Sequence, residues 1–318
     1  MKIVLPGGTG QLGGALARAF HARGDDVVVL TRAPVGDVPS PAARLVAWDG
    51  RAQGPWAAEV DGADAVINLA GRSVDCRYTP ANLEAMLSSR VDSTRAVGAA
   101  IAAAARPPRT WLQMSTATIY AHRFDAPNDE ATGVIGGGEP DAPAYWKRSI
   151  EIAQAWEATQ MEAATPHTRK VALRAAMVMG AERGGVFQVL SRLARLGLGG
   201  PIAGGRQWIS WIHERDFVRA VDFLLAREDV DGPVNVAAPT PLPQREFMAA
   251  LRAAWGARVA LPATKWMVEV GAFLLRTDTE LVLKSRRVLP GRLLESGFSF
   301  DFPDWPAAAR DLVAKTRG

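Results

Sequence analysis

The feature of this sequence that most restricts its fold is a glycine-rich turn between a strand and a helix. Lys2–Pro6 is a short apolar run typical of a buried strand, and helical periodicity begins directly after the turn. Glycines at 8, 10 and 13 have the spacing of a dinucleotide-binding motif, and those at 7, 10 and 13 fit its longer variant. A plain glycine turn, the alternative, would not require strand, motif and helix in this order. The motif predicts cofactor binding by Gly7, Gly8, Thr9, Gly10, Gln11, Leu12 and Gly13.

The end of the second predicted strand indicates which cofactor the turn would hold. Thr31 and Arg32 stand where an acidic residue would otherwise accept hydrogen bonds from the adenine ribose. The planar cation of Arg32 suits a 2′-phosphate, so the sequence favours NADP(H) over NAD(H). The alternative is that Arg32 is only a surface charge. Asp49, after the third predicted strand, is a candidate acceptor for the adenine amino group, although Asp also begins turns.

Strand-like and helical segments alternate through the first half of the chain. This alternation is typical of βαβ units and predicts an α/β fold with a doubly wound parallel sheet of the Rossmann type. The ligand crevice of such a sheet lies at the carboxyl ends of its strands. The predicted strands are Lys2–Pro6, Asp26–Thr31, Leu45–Trp48, Ala65–Leu69, Thr110–Ser115 and Lys170–Arg174, and the predicted helices lie at 12–23, 80–105 and 143–163.

After about residue 180 the pattern changes. Glycine-rich segments and short strand candidates at Gln207–His213 and Pro233–Ala237 interrupt the helices. We therefore expect an NADP-binding Rossmann domain over residues 1–180, with return elements from 206–240. Residues 181–318 are expected to form a smaller C-terminal α+β lobe that contributes the substrate site.

Composition and charge restrict the class of protein further. The single cysteine, Cys76, excludes an internal disulfide and favours a reducing, cytoplasmic location. The net charge of +4 comes from scattered basic residues, so we expect no nucleic-acid partner. The one dense basic run, Lys284-Ser285-Arg286-Arg287, is interpreted as a solvated face.

The apolar segments and the metal-ligating residue types lead to three further expectations. The longest apolar stretch, Ala96–Ala105, is far shorter than the ~20 residues of a membrane-spanning helix, so no membrane partner is predicted. The same alanine-rich helix is a candidate contact across the two-fold axis of a homodimer. Four dispersed histidines and one cysteine have no metal-ligand spacing, so no metal site is predicted.

Further motifs extend over nearly the whole chain. They are Asn68-Leu69-Ala70-Gly71, Ser89-Arg90-Val91-Asp92-Ser93-Thr94, Ser115-Thr116-Ala117-Thr118-Ile119-Tyr120, Trp156-Glu157, Gly199-Gly200-Pro201, Ser210-Trp211-Ile212-His213-Glu214-Arg215-Asp216, Arg287-Val288-Leu289-Pro290 and Gly297-Phe298-Ser299-Phe300. With the glycine turn, they make the chain resemble the extended short-chain dehydrogenase/reductases. The likeness is specific to their atypical branch, the nucleotide-sugar epimerase-like proteins with their own C-terminal domain. The resemblance adds Leu69, Ala70, Gly71 and Ser115 to the predicted cofactor contacts.

The resemblance also implies where catalytic groups would lie. In active members a serine or threonine orients the substrate, and Thr116 occupies that position. A tyrosine and a lysine four residues later do the proton work, because the lysine charge lowers the tyrosine pKa. Counting back from Glu157, the tyrosine position is Ser149 and the lysine position is Ala153, so the pair is missing. Tyr145 is an alternative acid that requires a shift of one helical turn.

Three side chains are candidates for substrate contact. Trp208 and His213 lie in one short run with Trp211 and could line a flat pocket that favours stacking. Trp211 is interpreted as core, and His213 has the alternative of pairing with Asp216. Arg90, on the long predicted helix, would meet a substrate or cofactor phosphate, or form an ordinary ion pair with a nearby acid.

Two hypotheses about function follow. The first is an NADP(H)-dependent oxidoreductase or epimerase that acts on a small substrate such as a nucleotide sugar, with Thr116 and an acid that the sequence does not identify. The second is a catalytically inactive NADP(H)-sensing or scaffold protein, since Ser149 and Ala153 replace the usual tyrosine and lysine.

Overall fold

One parallel sheet dominates the described part of the chain. The computed structural model describes residues 1–32, 43–140, 142–143, 145–182, 184–264, 266–267, 269 and 278–317. Its seven-stranded sheet has the order β10-β6-β5-β4-β1-β2-β3, so strand order reverses between β1 and β4. These strands are β1 Lys2–Pro6, β2 Asp26–Thr31, β3 Arg44–Ala47, β4 Ala65–Asn68, β5 Thr110–Thr116, β6 Arg169–Ala175 and β10 Gly232–Val236.

Helices cover both faces of this sheet because each central strand is apolar on both sides. Ile3 and Leu5 pack with Phe20 in one core, and Val4 packs with Trp111 in a second core on the opposite face. This arrangement confirms the predicted doubly wound α/β fold. The helices of this unit are α1 Gln11–Ala22, α2 Pro80–Ala103, α3 Trp146–Met161 and α5 Glu214–Ala226, with 3₁₀ turns at Pro55–Glu59 and Ala117–Ile119.

The later elements form another apolar cluster. Trp305, fully buried, stacks on Phe247 with ring centroids 4.0 Å apart and lies 5.0 Å from the ring of Trp211. Leu293 and Phe298, by contrast, pack into the first core under the sheet. The elements after β6, apart from α5 and β10, are β7 Met177–Met179, α4 Val186–Arg195, β8 Trp208–Ile209, β9 Trp211–His213, β11 Leu242–Pro243, α6 Gln244–Trp255, α7 Glu280–Leu283, α8 Gly291–Glu295 and α9 Trp305–Arg317.

The prediction of a single strand at Gln207–His213 is wrong. The structure divides it at Ser210, so that β8 pairs antiparallel with β11 while β9 pairs parallel with β7. The hydroxyl of Ser210 donates to the carbonyl of Arg286 and accepts from the amide of Val288, both at 2.8 Å. These bonds to a distant segment separate the two strands. Trp211 is fully buried, which confirms its interpretation as core.

The alanine-rich part of α2 packs within the chain. Ala96, Val97, Ala100 and Ile101 are buried against the sheet. Gly98 allows close approach to Trp111, because a Cβ at Gly98 would lie 3.3 Å from the indole ring. This face of α2 is therefore already covered, and the homodimer contact stays a prediction.

Candidate functional site

Two contacts between backbone segments shape the glycine turn. Gly7 has φ +73°, and a Cβ there would lie 2.6 Å from the Cα of Ala70 in the loop after β4. A Cβ on Gly13 would lie 2.2 Å from the carbonyl oxygen of Gly8. Both distances are too short for any side chain, so the turn packs backbone on backbone where α1 meets the sheet.

Gly10, in the same turn, is open toward solvent. It is the N-cap of α1 with φ −79°, and a Cβ there would meet nothing within 4 Å. No residue in the first turn of α1 is acidic, and no side chain caps the helix. Because the first amides of a helix lack intrahelical partners and lie at its positive end, this turn is shaped to receive an anion such as a pyrophosphate. The turn residues Thr9, Gln11 and Leu12 are half-buried beside it.

Gly13 and Gly10 yield a matched pair of variants. Gly13→Ala should lower the free energy of unfolding by about 3 kcal/mol, because its methyl group is forced into the Gly8 backbone. Gly10→Ala should lower it by no more than about 1 kcal/mol, since Ala adopts this φ without strain and is only a poorer N-cap than Gly. It should still weaken NADPH binding about tenfold or more by filling the space over the turn. Urea unfolding and calorimetric titration would measure both effects; tight binding by Gly10→Ala would contradict the phosphate site.

Arg32 and Asp49 lie at the ends of β2 and β3. The Arg32 side chain is exposed, and its Cδ would be 3.9 Å from a Cβ on Gly50. Oδ1 of Asp49 accepts hydrogen bonds from the amides of Arg51 and Ala52 at 2.9 and 2.8 Å, and these bonds lower the pKa of its carboxyl group. Asp49 therefore begins a turn, which is the alternative role considered for it from the sequence. Its contact with adenine stays a prediction.

The loops after β4 and β5 lie at the same edge of the sheet as the glycine turn. Leu69 donates its amide to the carbonyl of Pro6 at 2.9 Å, which holds the loop of Leu69, Ala70 and Gly71 beside the turn. Ser115 is buried, and its hydroxyl donates to Oε1 of Glu157 on α3 at 2.5 Å. Its contact with a cofactor stays a prediction, since that hydroxyl is already bonded inside the protein.

Thr116 and the start of α3 form the candidate catalytic region. Thr116 is half-buried and its Oγ1 accepts from the amide of Thr118 at 3.1 Å. On α3, Ala153 is buried and supplies no charge. Tyr145 is 39% exposed at the N-cap of α3, and its hydroxyl lies 2.8 Å from Oγ1 of Thr279. These contacts place Tyr145 at the rim of the candidate catalytic region, beside residues 279–286, which we call the C-terminal segment.

Sequence reasoning missed a buried ion pair beside Ser149, the residue at which the resemblance predicts the tyrosine position. The Ser149 hydroxyl donates to Oε1 of Glu280 at 2.7 Å, and the same oxygen accepts from Nζ of Lys284 at 3.2 Å. Lys284 also donates to the carbonyl of Thr118 at 2.9 Å. Arg286 adds a bond from Nε to Oγ1 of Thr118 at 3.1 Å. The C-terminal segment thus reaches the end of β5 and the start of α3.

The interpretation of 284–287 as a solvated face is therefore wrong. The Lys284 and Glu280 side chains are 1% and 0% exposed, and burial lowers the pKa of the Lys284 ammonium despite the nearby carboxylate. Glu280 Oε2 is buried without a hydrogen-bond partner among the described residues. The glutamate four residues before the lysine was the available signal, because that spacing permits pairing on a helical turn.

Breaking this pair should be costly. Lys284→Met leaves the Glu280 carboxylate buried without its cation, so the free energy of unfolding should fall by about 3 kcal/mol. Lys147→Met is the matched control, because Lys147 and Glu151 form the same i, i+4 pair with side chains 65% and 41% exposed. That control should change stability by less than about 1 kcal/mol. Equal urea midpoints for the two variants would contradict a buried ion pair.

Trp208 and His213, the candidates for substrate contact, have partners inside the protein. The Trp208 ring lies 4.2 Å from the guanidinium of Arg287. His213 is buried, with Nε2 3.0 Å from Oδ2 of Asp311, while Nδ1 accepts from the amide of Arg215 at the start of α5. The partner of His213 is thus Asp311 and not Asp216. Substrate contact by Trp208 and His213 stays a prediction.

His213 should make stability depend on pH. Burial lowers its pKa below the ordinary 6.5, so between these two values the unfolded chain binds more protons than the folded one. The free energy of unfolding should fall as pH decreases from 7.5 to 5.5, and His213→Gln should reduce that decrease. His167→Gln is the control, because His167 is exposed. Urea unfolding at pH 7.5 and 5.5 measures the change in the free energy of unfolding. An identical change for wild type and His213→Gln would contradict a contribution of His213.

The described residues form neither a metal site nor a membrane span. Within the described ranges, no group of three or more His, Cys, Asp or Glu side chains is placed to hold a metal ion. None of the helices in those ranges has the length and apolar character needed to cross a bilayer.

A doubly wound parallel sheet with this glycine turn defines a protein of the Rossmann class. Residues 3–237 match the NAD dependent epimerase/dehydratase family, and the chain belongs to that family. Residues 263–312 match a domain of unknown function, DUF1731. These matches confirm the resemblance inferred from the motifs.

Known relatives match nearly the whole of this chain. The human epimerase family protein SDR39U1 is 30% identical over 99% of this chain and 100% of its own. A crystal structure of its isoform 2 with NADPH superposes with a TM-score of 0.83, covering 99% of both chains. A nucleoside-diphosphate sugar epimerase from Corynebacterium glutamicum is 25% identical with a TM-score of 0.75, over 98% of this chain and 58% of its own. Epimerase family protein YfhF of Bacillus subtilis is 29% identical over 99% of this chain and 98% of its own.

Proposed function

We propose that this chain binds NADP(H) at the glycine turn and acts as an oxidoreductase or epimerase on a small substrate such as a nucleotide sugar. The observation that carries the proposal is the turn itself, in which Gly7 and Gly13 pack tightly while Gly10 leaves the first amides of α1 open. Backbone amides and a helix N-terminus suit a pyrophosphate. When bound, the cofactor would supply hydride transfer, and Thr116 would orient the substrate.

The preference for the phosphorylated cofactor rests on Arg32. A guanidinium can make two parallel bonds to a phosphate, and Arg32 is exposed at the end of β2. The structure of the human relative was determined with NADPH. Both observations favour NADP(H) over NAD(H).

A second candidate function is NADP(H) sensing or scaffolding without catalysis. The buried bonds at the tyrosine position favour it, because Ser149 donates to Glu280 and a serine hydroxyl is too weak an acid to replace the tyrosine unaided. Incubating the protein with NADPH and a panel of carbonyl and sugar-nucleotide substrates separates the two candidates. Substrate-dependent NADPH oxidation supports an oxidoreductase, and conversion of a sugar nucleotide to its epimer in the presence of NADP⁺ without net change of the cofactor supports an epimerase. Tight NADPH binding with neither reaction supports the sensor.

Arg32→Ala tests the cofactor site. NADPH affinity should fall about tenfold or more, since a charge-assisted contact to the 2′-phosphate is worth at least about 1.4 kcal/mol, while NADH affinity should not change. Arg310→Ala is the control, because Arg310 is exposed on α9. Calorimetric titration measures the dissociation constants of NADPH and NADH for each variant. The proposal fails if wild-type protein binds no NADPH at millimolar concentration, or if Arg32→Ala weakens both cofactors alike.

A further inference from the structure

Glu280 places a carboxylate against the hydroxyl of Ser149. The Glu280 side chain is fully buried, and its Oε1 lies 2.7 Å from Oγ of Ser149 and 3.2 Å from Nζ of Lys284. The second oxygen, Oε2, is buried without a hydrogen-bond partner among the described residues. Because an unsatisfied buried carboxylate oxygen costs free energy, its presence here points to a functional role.

The Ser149 hydroxyl has two acceptors for its one proton. Oγ of Ser149 also lies 2.9 Å from the carbonyl oxygen of Trp146, one turn earlier on α3. When Glu280 is ionised, Ser149 donates to the carboxylate. When Glu280 is protonated, its O–H can donate to Oγ of Ser149, which then donates to the Trp146 carbonyl. Both protonation states of Glu280 are therefore hydrogen-bonded, as a site that stores and returns a proton requires.

The face of α3 that carries Ser149 turns toward the cofactor loop. Ser149 and Trp156 lie two turns apart on this face. The Trp156 ring centroid lies 4.8 Å from the guanidinium carbon of Arg90. A Cβ on Gly71, in the loop beside the glycine turn, would lie 3.4 Å from that same carbon. Ser149 thus lies at one end of a face whose other end packs beside the cofactor loop.

The three tyrosines of the chain are poorly placed to supply the missing acid. The Tyr120 hydroxyl is hydrogen-bonded inside the core. Burial, and then the charge of Glu280, raise the pKa of Tyr78, which makes its hydroxyl a poorer acid. Tyr145 is at the rim, where its hydroxyl is bonded to the C-terminal segment. Ser149, with a carboxylate behind it, is the hydroxyl best placed to move a proton here.

We propose that Ser149 and Glu280 form a proton relay that replaces the tyrosine and lysine. The inference rests on the proposed function, because it assumes an alcohol or ketone substrate beside NADP(H). When the alcohol is oxidised, its hydride passes to NADP⁺ and its hydroxyl proton passes to Oγ of Ser149, while the Ser149 proton passes to Oε1 of Glu280. The products are the ketone, NADPH and protonated Glu280, and reduction of the ketone reverses each transfer. Lys284 is a positioning residue, since its ammonium holds Oε1 beside Ser149.

Steady-state kinetics of single variants test the relay. On a panel substrate that wild type converts, Ser149→Ala and Glu280→Gln should each lower kcat about a hundredfold or more, with KM and NADPH affinity unchanged within twofold. Ser149→Thr keeps the hydroxyl and should recover most of the rate. Thr159→Ala is the matched control, because the Thr159 hydroxyl on α3 donates to the carbonyl of Ala155 at 2.7 Å and lies near no part of the relay. It should retain kcat within twofold.

Infrared difference spectroscopy supplies a readout besides the rate. When the alcohol is added to the wild-type complex with NADP⁺, bound NADPH should be accompanied by the carbonyl band of a newly protonated carboxyl group. Glu280→Gln should lack that band. Bound NADPH without the band in wild type would overturn the relay.

Failure of the relay and failure of the proposed function are distinguishable. If wild type binds NADPH but neither reduces nor epimerises any member of the panel, the enzymatic function fails, and the relay with it. If wild type is active and Ser149→Ala retains its kcat, only the relay is wrong. Ser149→Ala leaves the charges of Glu280 and Lys284 in place, so it decides the question if Glu280→Gln does not fold.

Discussion

Direct contact between backbone segments at the start of α1 is the constraint on which the rest of the candidate site depends. Gly13 packs on Gly8 and Gly7 packs on Ala70, at distances that leave no room for a side chain. Because of these contacts, α1 begins at the carboxyl edge of the sheet, close to the place where strand order reverses. Its first amides therefore face the crevice, and the loop that carries Gly71 lies beside them.

Buried charges join the C-terminal segment to this crevice. Lys284 and Glu280 form an ion pair that reaches Ser149 on α3 and the backbone of Thr118 after β5. Such a pair stabilises only when its geometry is complete, since each charge alone would be costly to bury. These bonds hold the segment against Ser149, the residue at which the resemblance predicts the tyrosine position. Two turns further along α3, Arg90 packs on Trp156 and forms no ion pair among the described residues.

Much of the fold was predictable because its signals are local. The order of strand, glycine turn and helix identifies the first βαβ unit, and alternating apolar runs identify the parallel sheet. The strand predicted at Gln207–His213 was wrong because Ser210 bonds to residues 286–288, which lie far away in sequence. The basic run at 284–287 was misassigned for the same reason, since its exposure depends on Glu280 and on loops more than 100 residues distant.

By itself, the sequence determined the α/β class, the position of the glycine turn and the family, because each depends on residue identity at short spacing. Only the tertiary structure decided that Lys284 is buried beside Ser149, that His213 pairs with Asp311, and that Arg90 lies against Trp156 and Gly71. The physical reason is that solvation and charge pairing are properties of neighbours in space. Those neighbours come from segments that the chain brings together only when it folds.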